Sequence, residues 1–582
     1  MTAINQRQMK SSFGLTDFLR KLLTNPLGLL WYYVIICMAP SFYFAISQPV
    51  NFMARAIILF FPTGFFLLVL SLVRNSGRGF VFLFPVFLLN GFQIILFYLF
   101  RGPDAISADM FLNVVTTSTS EAGELLSSMT QAILVICLLY IPALILAIIQ
   151  WSTNNVLQKN IRKKMILTSL IFLSLSFALF PLSKNSFRSK FTFHNDVYPA
   201  NIVYNLGFAI HKIIKVKNYP QTSKPFSFDA VKKDTASKRM IVVLIIGETG
   251  RAVSWQLYGY NRLTNPNLEK QSNLIVFKDA ITENNATHKS VPIILSCNDA
   301  TDFKDIYCRK SIFAAFNEAG FTTVCFSNQP DNHSLTEDFY RQADIFRIIR
   351  VKDPVTGDYT NPYDEELTEM MKKIINENKD NLFIVLHSYG SHFNYGDRYP
   401  RQFSIFTPDK ISQLSQSEKP VLINAYDNSI VYTDYFISQT IRALEETKTD
   451  AFLLYVSDHG EDIFDDSRNG FLHSSPIPTY FQLRIPFIIW YSNEYKSDFP
   501  ENVSAAITNG PKPISTNSVF PTLLNAAGIT TPYLNNSLSL VSNNFTVKPR
   551  MYLDDHDHGI PYLQMNLAPE DLFLLKKNSI GD

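Results

Sequence analysis

The sequence predicts a protein of two main parts, an N-terminal five-helix transmembrane domain and a C-terminal α/β domain with a central, mostly parallel sheet. Two observations predict this division. Apolar residues are concentrated in the first third of the 582 residues, in stretches long enough to cross a bilayer. From Met240 onward, apolar β-rich runs alternate with helical stretches, which is typical of an α/β fold.

Five apolar stretches are each long enough to span a membrane. They cover roughly residues 27–46, 53–73, 79–100, 131–151 and 165–182. Pro40 and Pro85 lie inside two of them, and membrane helices tolerate proline. These segments leave no polar face for water, which argues against helices buried in a soluble core.

The charges between the spans predict the orientation. Basic residues occur in the N-terminal arm and in the loops after the second and fourth spans, whereas the loop after the third span is acidic. By the positive-inside rule, the basic loops face the cytoplasm, and an odd number of spans places the rest of the chain outside. The first span is too long for a signal peptide and has no clear cleavage site, so we interpret it as a retained anchor.

We therefore expect a transmembrane domain over 1–182, an interfacial helix and linker over 183–239, and an outer domain over 240–582. The basic and apolar residues at 211–217 suit either a helix lying on anionic headgroups or a solvated linker helix, with Pro220 and Pro225 marking the linker. The net charge of +2 argues against a nucleic-acid partner.

The outer domain has the alternating pattern of an α/β fold. We predict strands over 240–247, 274–277, 322–326, 382–387, 452–456 and 486–491, and helices over 288–295, 311–319, 364–376, 421–447 and 517–527. Cys297 and Cys308 flank a short polar loop, where a disulfide is compatible with an oxidising compartment but is not determined by the sequence. Cys325 ends a strand and is predicted to be a buried thiol.

The end of one predicted strand carries an Asp-His pair. Asp458 and His459 follow the apolar run 452–456, and a carboxylate beside an imidazole on rigid backbone suits a divalent metal. Glu248 ends the first strand of the same domain. Because the carboxyl ends of parallel strands meet at one edge of a sheet, Glu248 is expected to approach the pair.

A hydroxyl for nucleophilic chemistry occurs where another helix is predicted to begin. Thr287 follows a strand-like run and opens that helix, whose N-terminus favours a phosphate. A metal-bound hydroxyl also loses its proton more easily. Ser290 and Thr282 are competing nucleophile candidates.

Two further histidines follow predicted strands or their loops. His392 and His473 are expected to reach the same pocket and, when protonated, to bind phosphate oxygens or donate a proton to a leaving group. His387 lies within a predicted strand and is expected to be a core histidine.

These residues occur within motifs that resemble a known family. The motifs include Gly-Glu-Thr-Gly-Arg at 247–251, Ser-Val-Pro at 290–292, Gly-Ser-His at 390–392, Ser-Asp-His-Gly-Glu at 457–461 and Phe-Leu-His at 471–473. In order and spacing the chain resembles the phosphoethanolamine transferases of Gram-negative inner membranes, which include the mobile colistin-resistance enzymes. The resemblance implies five spans and a periplasmic catalytic domain of the alkaline phosphatase/sulfatase type.

The resemblance also implies roles for individual residues. Zinc would be held by Glu248, Thr287, Asp458 and His459, and Thr287 would form a covalent intermediate with phosphoethanolamine taken from phosphatidylethanolamine. His392 and His473 would bind the transferred group and recruit a second zinc at turnover. A helix face in the acidic outer loop would bind the ethanolamine ammonium, and it carries Asn113, Thr117 and Glu121.

The acceptor is left open between lipid A phosphate, an inner-core sugar of lipopolysaccharide and another envelope glycan. The acidic loop between Glu461 and Asp466 differs from the lipid A-modifying enzymes and is where we look for acceptor preference. The cluster from Asp554 to His558 is expected to be a solvated turn, although it could bind a metal.

Three other functions are compatible with parts of the sequence. They are a membrane-anchored phosphodiesterase or sulfatase-like hydrolase, a glycerol-phosphate transferase of the lipoteichoic acid synthase type, and a non-catalytic sensor or scaffold whose domain has lost activity. The intact set of metal-ligand candidates argues against the sensor. A platform of five spans favours a lipid donor, since a simple anchor needs only one.

Overall fold

The computed structural model describes residues 25–48, 50–100, 106–116, 119–127, 129–183, 191–233, 238–331, 334–352, 359–565 and 567–577. The basic N-terminal arm and Thr117 lie outside these residues. The chain divides into two compact units. The first unit contains the chain up to Ile106 together with Met129–Asn205. The second unit contains Ser107–Ser128 together with the chain from Leu206 onward. The domain boundaries expected at 182 and 239 remain predictions.

The described part of the chain before Thr222 is helical. Its helices are α1 (Pro26–Cys37), α2 (Ala39–Ser47), α3 (Phe52–Leu72), α4 (Ser76–Phe82), α5 (Phe84–Phe100), α6 (Ala108–Thr116), α7 (Thr119–Ser127), α8 (Thr130–Ser152), α9 (Lys159–Ser183), α10 (Phe193–Asp196) and α11 (Ala200–Thr222).

Three described helices, α3, α8 and α9, are long and apolar enough to cross a membrane, and the number rises to five if each of two bent pairs is one span. The pairs are α1 with α2, bent by 51°, and α4 with α5, bent by 60°. Pro40 and Pro85 lie in the first turns of α2 and α5. Proline removes a helical hydrogen bond and crowds the preceding turn, which explains both bends.

Small residues bring the helices of the first unit close together. A Cβ added to Gly64 of α3 would lie 2.9 Å from the carbonyl oxygen of Ser169 in α9. Close approach at small residues is a common way for membrane helices to pack. At the start of α4, the Asn75 side-chain amide donates to the carbonyl oxygen of Gln150 in α8 at 3.1 Å, so a buried hydrogen bond joins these two helices.

The second unit contains the remaining elements. Its further helices are α12 (Thr287–Ile294), α13 (Ile312–Glu318), α14 (Leu335–Tyr340), α15 (Glu365–Glu377), α16 (Lys419–Thr447), α17 (Tyr480–Leu483), α18 (Asn493–Asp498), α19 (Pro500–Asn509), α20 (Val519–Ala526) and α21 (Pro569–Lys577).

Its longer strands form one sheet, and short strands form five two-stranded ladders in the described chain. The strands are β1 (Val231–Lys232), β2 (Met240–Gly247), β3 (Leu274–Val276), β4 (Ala280–Ile281), β5 (Thr322–Ser327), β6 (Ile345–Ile348), β7 (Val351–Lys352), β8 (Tyr359–Thr360), β9 (Leu382–His387), β10 (Asp450–Ser457), β11 (Asp462–Ile463), β12 (Phe471–Leu472), β13 (Phe487–Tyr491), β14 (Ile514–Ser515), β15 (Ile529–Thr530), β16 (Met551–Leu553) and β17 (Gly559–Pro561).

The central sheet has seven strands in the order β3-β13-β10-β2-β9-β5-β6. Strand β13 runs antiparallel to both of its neighbours, whereas the pairings from β10 to β6 are parallel. The sheet is therefore mixed, and the prediction of a mostly parallel sheet is corrected. A single sequence gives no signal for the direction of a strand such as β13, because its apolar run is buried in either direction.

The central strands are buried along their whole length, which explains their unbroken apolar sequences. On one face of the sheet, alternate residues of β2 such as Val242 and Ile246 lie in a core with Val291 of α12 and Phe520 of α20. The helix that carries Thr287 thus contributes to the same apolar core as the central strand β2.

All six predicted strands and all five predicted helices of this unit occur, with bounds that differ by at most two residues. Strand β6 and helices such as α14 and α21 were not predicted. They are short, and β6 is a partly exposed edge strand without a continuous apolar run.

The linker region differs from the prediction in one respect. Helix α11 continues through Pro220 to Thr222, and Lys212 is 3% exposed rather than solvated. The solvated-helix interpretation is therefore wrong for Lys212.

The loop after β10 contains a close approach that should be sensitive to a single methyl group. A Cβ at Gly460 would overlap the backbone carbonyl oxygen of Phe481. We expect Gly460→Ala to destabilise the protein by about 1–3 kcal/mol, because backbone must move. The thermal unfolding midpoint of the full-length protein in detergent measures this.

Gly207→Ala is the matched control, since Gly207 lies in α11 and, apart from the backbone of its own helix, no atom lies within 4 Å of an added Cβ. Helix propensity makes that change neutral or stabilising. Equal midpoints for the two variants would contradict the packing argument.

Candidate active site

The candidate site residues lie at the carboxyl ends of neighbouring strands. Glu248 follows the last residue of β2, and Asp458 and His459 follow β10. The last residues of these strands, Gly247 and Ser457, are paired in the parallel ladder. The structure therefore brings Glu248 to the Asp-His pair, as expected from strand ends that meet at one edge.

Thr287 is the first residue of α12 and completes this group. Its Oγ1 lies 3.3 Å from each carboxylate oxygen of Glu248 and 3.0 Å from His459 Nε2. His459 Nε2 is also 3.3 Å from Asp458 Oδ2 and 3.6 Å from Glu248 Oε1. The four predicted ligands thus direct oxygen and nitrogen atoms toward one another.

Hydrogen bonds to backbone groups orient the pair. Asp458 Oδ1 accepts from the backbone N–H of His459 at 2.7 Å and of Thr249 at 3.2 Å. His459 Nδ1 lies 3.0 Å from the Gly460 carbonyl oxygen, which can only accept, so Nδ1 carries the proton. His459 Nε2 is then left unprotonated in the neutral ring, which is the form that binds metals.

The backbone beside Glu248 is held in an uncommon conformation. Thr249 has φ +53°, in the left-handed region. The Tyr426 hydroxyl donates to the Thr249 carbonyl oxygen at 2.6 Å and accepts from the Arg251 N–H at 3.0 Å. Tyr426 on α16 thus fixes the turn that points the Thr249 N–H at Asp458.

The two competing hydroxyls are directed elsewhere. Ser290 Oγ donates to the Ala286 carbonyl oxygen at 3.2 Å. Thr282 Oγ1 lies 2.6 Å from the Asp458 carbonyl oxygen and 2.8 Å from that of Asn284. Among the three candidates, Thr287 has its hydroxyl against the acidic and imidazole groups of the site.

His473 lies closer to the metal-ligand candidates than the sequence suggested. It follows β12, and its ring centroid is 4.1 Å from that of His459. Burial lowers the pKa of His473 well below its usual range, and the neighbouring His459 and His392 add to this effect. The neutral ring is therefore favoured, whereas the phosphate-binding and proton-donating roles considered from the sequence apply to the protonated ring.

His392 and Asn113 line the same cavity of about 140 Å³ with Glu248, Thr287 and His473. The His392 ring stacks on Tyr389 with a centroid distance of 5.3 Å and lies 6.3 Å from the His473 ring. The cavity also includes Gln329, which the sequence analysis missed because no motif surrounds it.

The other members of the predicted ethanolamine face are not described. Thr117 lies outside the described residues, and only the backbone of Glu121 is described, within α7. Of these three residues, Asn113 on α6 is therefore the one whose side chain the structure describes.

His387 is buried, as predicted for a core histidine, with Nδ1 2.6 Å from the Tyr340 hydroxyl. Burial lowers the pKa of His387 to about 3, so the ring is neutral. It also lines the site cavity, which the sequence did not suggest.

Several atoms of the site fit a metal ion. Glu248, His459 and His473 each offer a ligand atom, and these atoms lie within 4.8 Å of one another. Asp458 Oδ2 and His473 Nδ1 are buried and make no hydrogen bond. Buried polar atoms without hydrogen bonds are costly, and a cation would satisfy both.

Two family models match the sequence, and they do not overlap. The model described as Sulfatase matches residues 241–529, and the model described as Phosphoethanolamine transferase EptA/EptB matches residues 63–213. The chain belongs to the phosphoethanolamine transferase family of the alkaline phosphatase/sulfatase superfamily. The prediction of a phosphoethanolamine transferase is thereby confirmed.

Individual members of the family are distant in sequence but similar over long stretches. The chain is 28% identical to Phosphoethanolamine transferase EptA of Escherichia coli K12 over 446 residues, which is 74% of this chain and 79% of that protein. The integral membrane lipooligosaccharide phosphoethanolamine transferase A of Neisseria meningitidis has a TM-score of 0.66 at 20% identity, covering 87% and 98% of the two chains.

A third relative is the periplasmic domain of E. coli EptC solved in complex with Zn, which has a TM-score of 0.52 at 24% identity over 58% of this chain and 96% of that one. Together the two solved structures show that the chain has the family's fold.

In this member of the family, the acidic loop after His459 is paired within the protein. Asp465 Oδ2 lies 2.7 Å from Arg251 Nη1, and Asp466 is paired with Arg468. The other two carboxylates are buried: Glu461 Oε1 accepts from the Tyr395 hydroxyl at 2.9 Å, and Asp462 accepts from Thr479 and Gln482. The loop's acidic residues are thus structural contacts rather than a surface presented to an acceptor.

A buried cluster of charges, absent from the sequence analysis, lies next to the nucleophile candidate. Asp109 of α6 contacts Lys212 of α11 at 3.1 Å and Lys289 of α12 at 2.8 Å. Asp557 contacts the same lysines at 2.8 and 3.2 Å. His288 Nε2 is 3.3 Å from Asp109. These residues, here called the charge cluster, join three segments to the helix that begins with Thr287.

The turn from Asp554 to His558 is only partly the solvated turn that was predicted. His558 is exposed, but Asp557 belongs to the charge cluster and Lys289 donates to the Asp554 carbonyl oxygen at 2.6 Å. Asp554, Asp555 and His556 also bring ligand atoms within 4.8 Å of one another.

The cysteines of the second unit, Cys297, Cys308 and Cys325, are all thiols. Cys297 and Cys308 are not joined by a disulfide, and the Cys297 sulfur accepts from Arg309. Cys325 is buried, as predicted.

Removing one carboxylate from the charge cluster should destabilise the protein. Burial alone would raise the pKa of Asp109, but Lys212 and Lys289 hold it well below its usual range. The pairing of ionised Asp109 with the two lysines stabilises the folded protein. This contribution is complete at neutral pH and is lost as the pH falls below about 4 and Asp109 becomes protonated. We expect Asp109→Asn to cost about 3–5 kcal/mol at pH 7, because buried lysines lose a partner.

Chemical denaturation of the full-length protein in detergent at pH 7 measures the free energy of unfolding of wild type and Asp109→Asn. Asp498→Asn is the control, because its partner Lys238 is 62% exposed and exposed pairs contribute little. A loss for Asp109→Asn no larger than for Asp498→Asn would refute the role of the cluster.

Proposed function

We propose that this chain transfers phosphoethanolamine from phosphatidylethanolamine to an envelope glycolipid through a covalent intermediate on Thr287. The observation that carries the proposal is the position of the Thr287 hydroxyl, 3.0 Å from His459 Nε2 and 3.3 Å from both Glu248 oxygens at the start of a helix. The first helical turn presents N–H groups that favour a phosphate at this hydroxyl.

The donor set supports zinc as the resident cofactor. Glu248, Thr287, Asp458 and His459 would hold it, since carboxylate oxygen and imidazole nitrogen are common zinc ligands. The relative from E. coli whose structure contains Zn has the same fold. Zinc bound here would supply a Lewis acid that makes the Thr287 hydroxyl easier to deprotonate. His473 lies close enough to take part in this site or in a second one at turnover.

The reaction then proceeds in two displacements at phosphorus. In the first, a bond forms between Thr287 Oγ1 and phosphorus, the bond from phosphorus to the glycerol oxygen breaks, and diacylglycerol leaves with the proton that Thr287 lost. In the second, an oxygen of the acceptor attacks phosphorus, and Thr287 leaves with the proton of the acceptor. His392, which lines the cavity, is the candidate to pass a proton to the leaving oxygen.

The loop after the third predicted span, which contains Asn113, Thr117 and Glu121, would bind the ethanolamine end of the donor. Asn113 lines the cavity beside Thr287, and we propose that it contacts the phosphoethanolamine group. Glu121, with Thr117 on the same predicted helix face, would pair with the ammonium group of the donor.

The membrane helices suit a lipid donor, and we propose that all five predicted spans hold the enzyme in a bacterial inner membrane with the catalytic domain in the periplasm. The relative from N. meningitidis is named for lipooligosaccharide. We therefore propose an acceptor in lipid A or the core of lipopolysaccharide.

Thr287→Ala should abolish the first displacement. We expect the rate of diacylglycerol release from fluorescent phosphatidylethanolamine to fall by about 10³-fold or more, because no nucleophile remains. Mass spectrometry of the wild-type chain should find phosphoethanolamine attached to the peptide that contains Thr287.

Thr287→Ser is the control, because it keeps a hydroxyl at the same position and should keep measurable release and the adduct. Full activity of Thr287→Ala would exclude Thr287 as the nucleophile. Formation of free phosphoethanolamine alone, with envelope glycolipid present, would instead support a hydrolase.

Asp458→Asn should lower the zinc content of the purified protein. Elemental analysis after dialysis should find about one zinc per wild-type chain and much less in the variant, because an amide is a poorer ligand than a carboxylate.

His558→Ala is the matched control, since His558 lies in the other Asp-His group and is exposed. It should keep the wild-type zinc content. Loss of zinc in His558→Ala, or full retention in Asp458→Asn, would place the metal elsewhere.

A further inference from the structure

A second cavity of about 430 Å³ lies in the same unit as the catalytic cavity. Its apolar lining includes Leu112 of α6, Ile213 and Val216 of α11, and Leu335 of α14. This volume is within the range of about 300–1,000 Å³ that is usual for ligand pockets. We call this cavity the apolar cavity.

The charges of the charge cluster at its wall cancel one another, and the other charged residues of the lining are also two cations and two anions, Lys217, Arg341, Glu337 and Asp338. Lys212 and Lys289 line the apolar cavity, and both are paired with Asp109 and Asp557 in the charge cluster. Two cations and two anions leave no net charge, so this part of the wall does not favour an ionic ligand. An uncharged, apolar occupant fits the lining.

The apolar cavity adjoins the catalytic cavity. His288, Ser334 and Glu337 line both of them. His288 is the residue after Thr287 in α12, so the apolar cavity begins beside the nucleophile candidate. A ligand with an apolar group a few bonds from its reacting phosphorus can therefore occupy both cavities at once.

We propose that the apolar cavity binds an acyl chain of the phospholipid donor while its phosphate lies at Thr287. This inference rests on the proposed function. The donor is favoured over the acceptor because its glycerol oxygen is bonded directly to the phosphorus that Thr287 attacks. In a glycolipid acceptor, sugar rings separate the acyl chains from the reacting oxygen.

The first test fills the apolar cavity and compares two donors. Full-length wild type, Ile213→Trp and Ile214→Trp are assayed with dioleoyl- and dihexanoyl-phosphatidylethanolamine at equal mole fraction in detergent. The readout is the ratio of kcat/KM for the long-chain donor to that for the short-chain donor. Ile214 is the matched control, because it is the adjacent residue of α11, is 51% exposed and does not line the apolar cavity.

We expect Ile213→Trp to lower this ratio about ten-fold relative to wild type, because the indole occupies the space of the chain, and Ile214→Trp to leave it within about two-fold. Equal ratios for the two variants would overturn the proposal. It would also be overturned if Ile213→Trp changed the preference between fully acylated and deacylated acceptors instead of donors. Absence of diacylglycerol release by wild type from either donor would refute the proposed function.

The second test does not depend on turnover. Thr287→Ala is photolysed with a phosphatidylethanolamine that carries a diazirine on one acyl chain, and cross-linked peptides are mapped by mass spectrometry. We expect labelling of residues 212–217 or 335–341, and less labelling there in Ile213→Trp than in Ile214→Trp. Labelling confined to the first unit would overturn the proposal even if the enzyme is active.

Discussion

Eight consecutive residue pairs hold β2 against β10, from Met240 opposite Asp450 to Gly247 opposite Ser457. Both strands are buried throughout, so a shift in register would move apolar side chains to the wrong face of the sheet. Because the register is fixed, Glu248 and Asp458 leave the sheet side by side. Val291 of α12 lies in the same apolar core as residues of both strands. At the start of that helix, the Thr287 hydroxyl lies 3.3 Å from the Glu248 carboxylate and 3.0 Å from His459 Nε2.

The part of the site that follows the sheet was predictable from the sequence. Glu248, Asp458 and His459 each come directly after an apolar run, and Thr287 opens a helix, so local patterns indicated their positions. The direction of β13 and the position of His473 were not predictable, because they depend on how distant segments pack. His473 directly follows the hairpin formed by β11 and β12, whose two-residue strands have no periodic pattern.

Charge pairing was the least visible feature in the sequence. The acidic residues from Glu461 to Asp466 were expected to determine acceptor preference, but Arg251, Arg468 and neighbouring hydroxyl and amide groups bind them. Likewise, Asp109 and Lys212 are 103 residues apart, and no local pattern links them. Such pairs form because a buried charge is tolerated only with a partner. The pairs of the charge cluster connect α6 and α11 to α12, the helix that begins with the proposed nucleophile.

The charge cluster also determines where the catalytic unit can be cut from the chain. A fragment that begins at Leu206 would contain Lys212, Lys289 and Asp557 but would lack Asp109, which lies on α6 between the apolar helices α5 and α8. Two buried lysines would then share one carboxylate, and the apolar cavity would lose the wall that Leu112 provides. In physical terms, the catalytic unit is discontinuous in sequence, and a fragment that keeps all the contacts of this unit includes the segment from Ser107 to Ser128 as well.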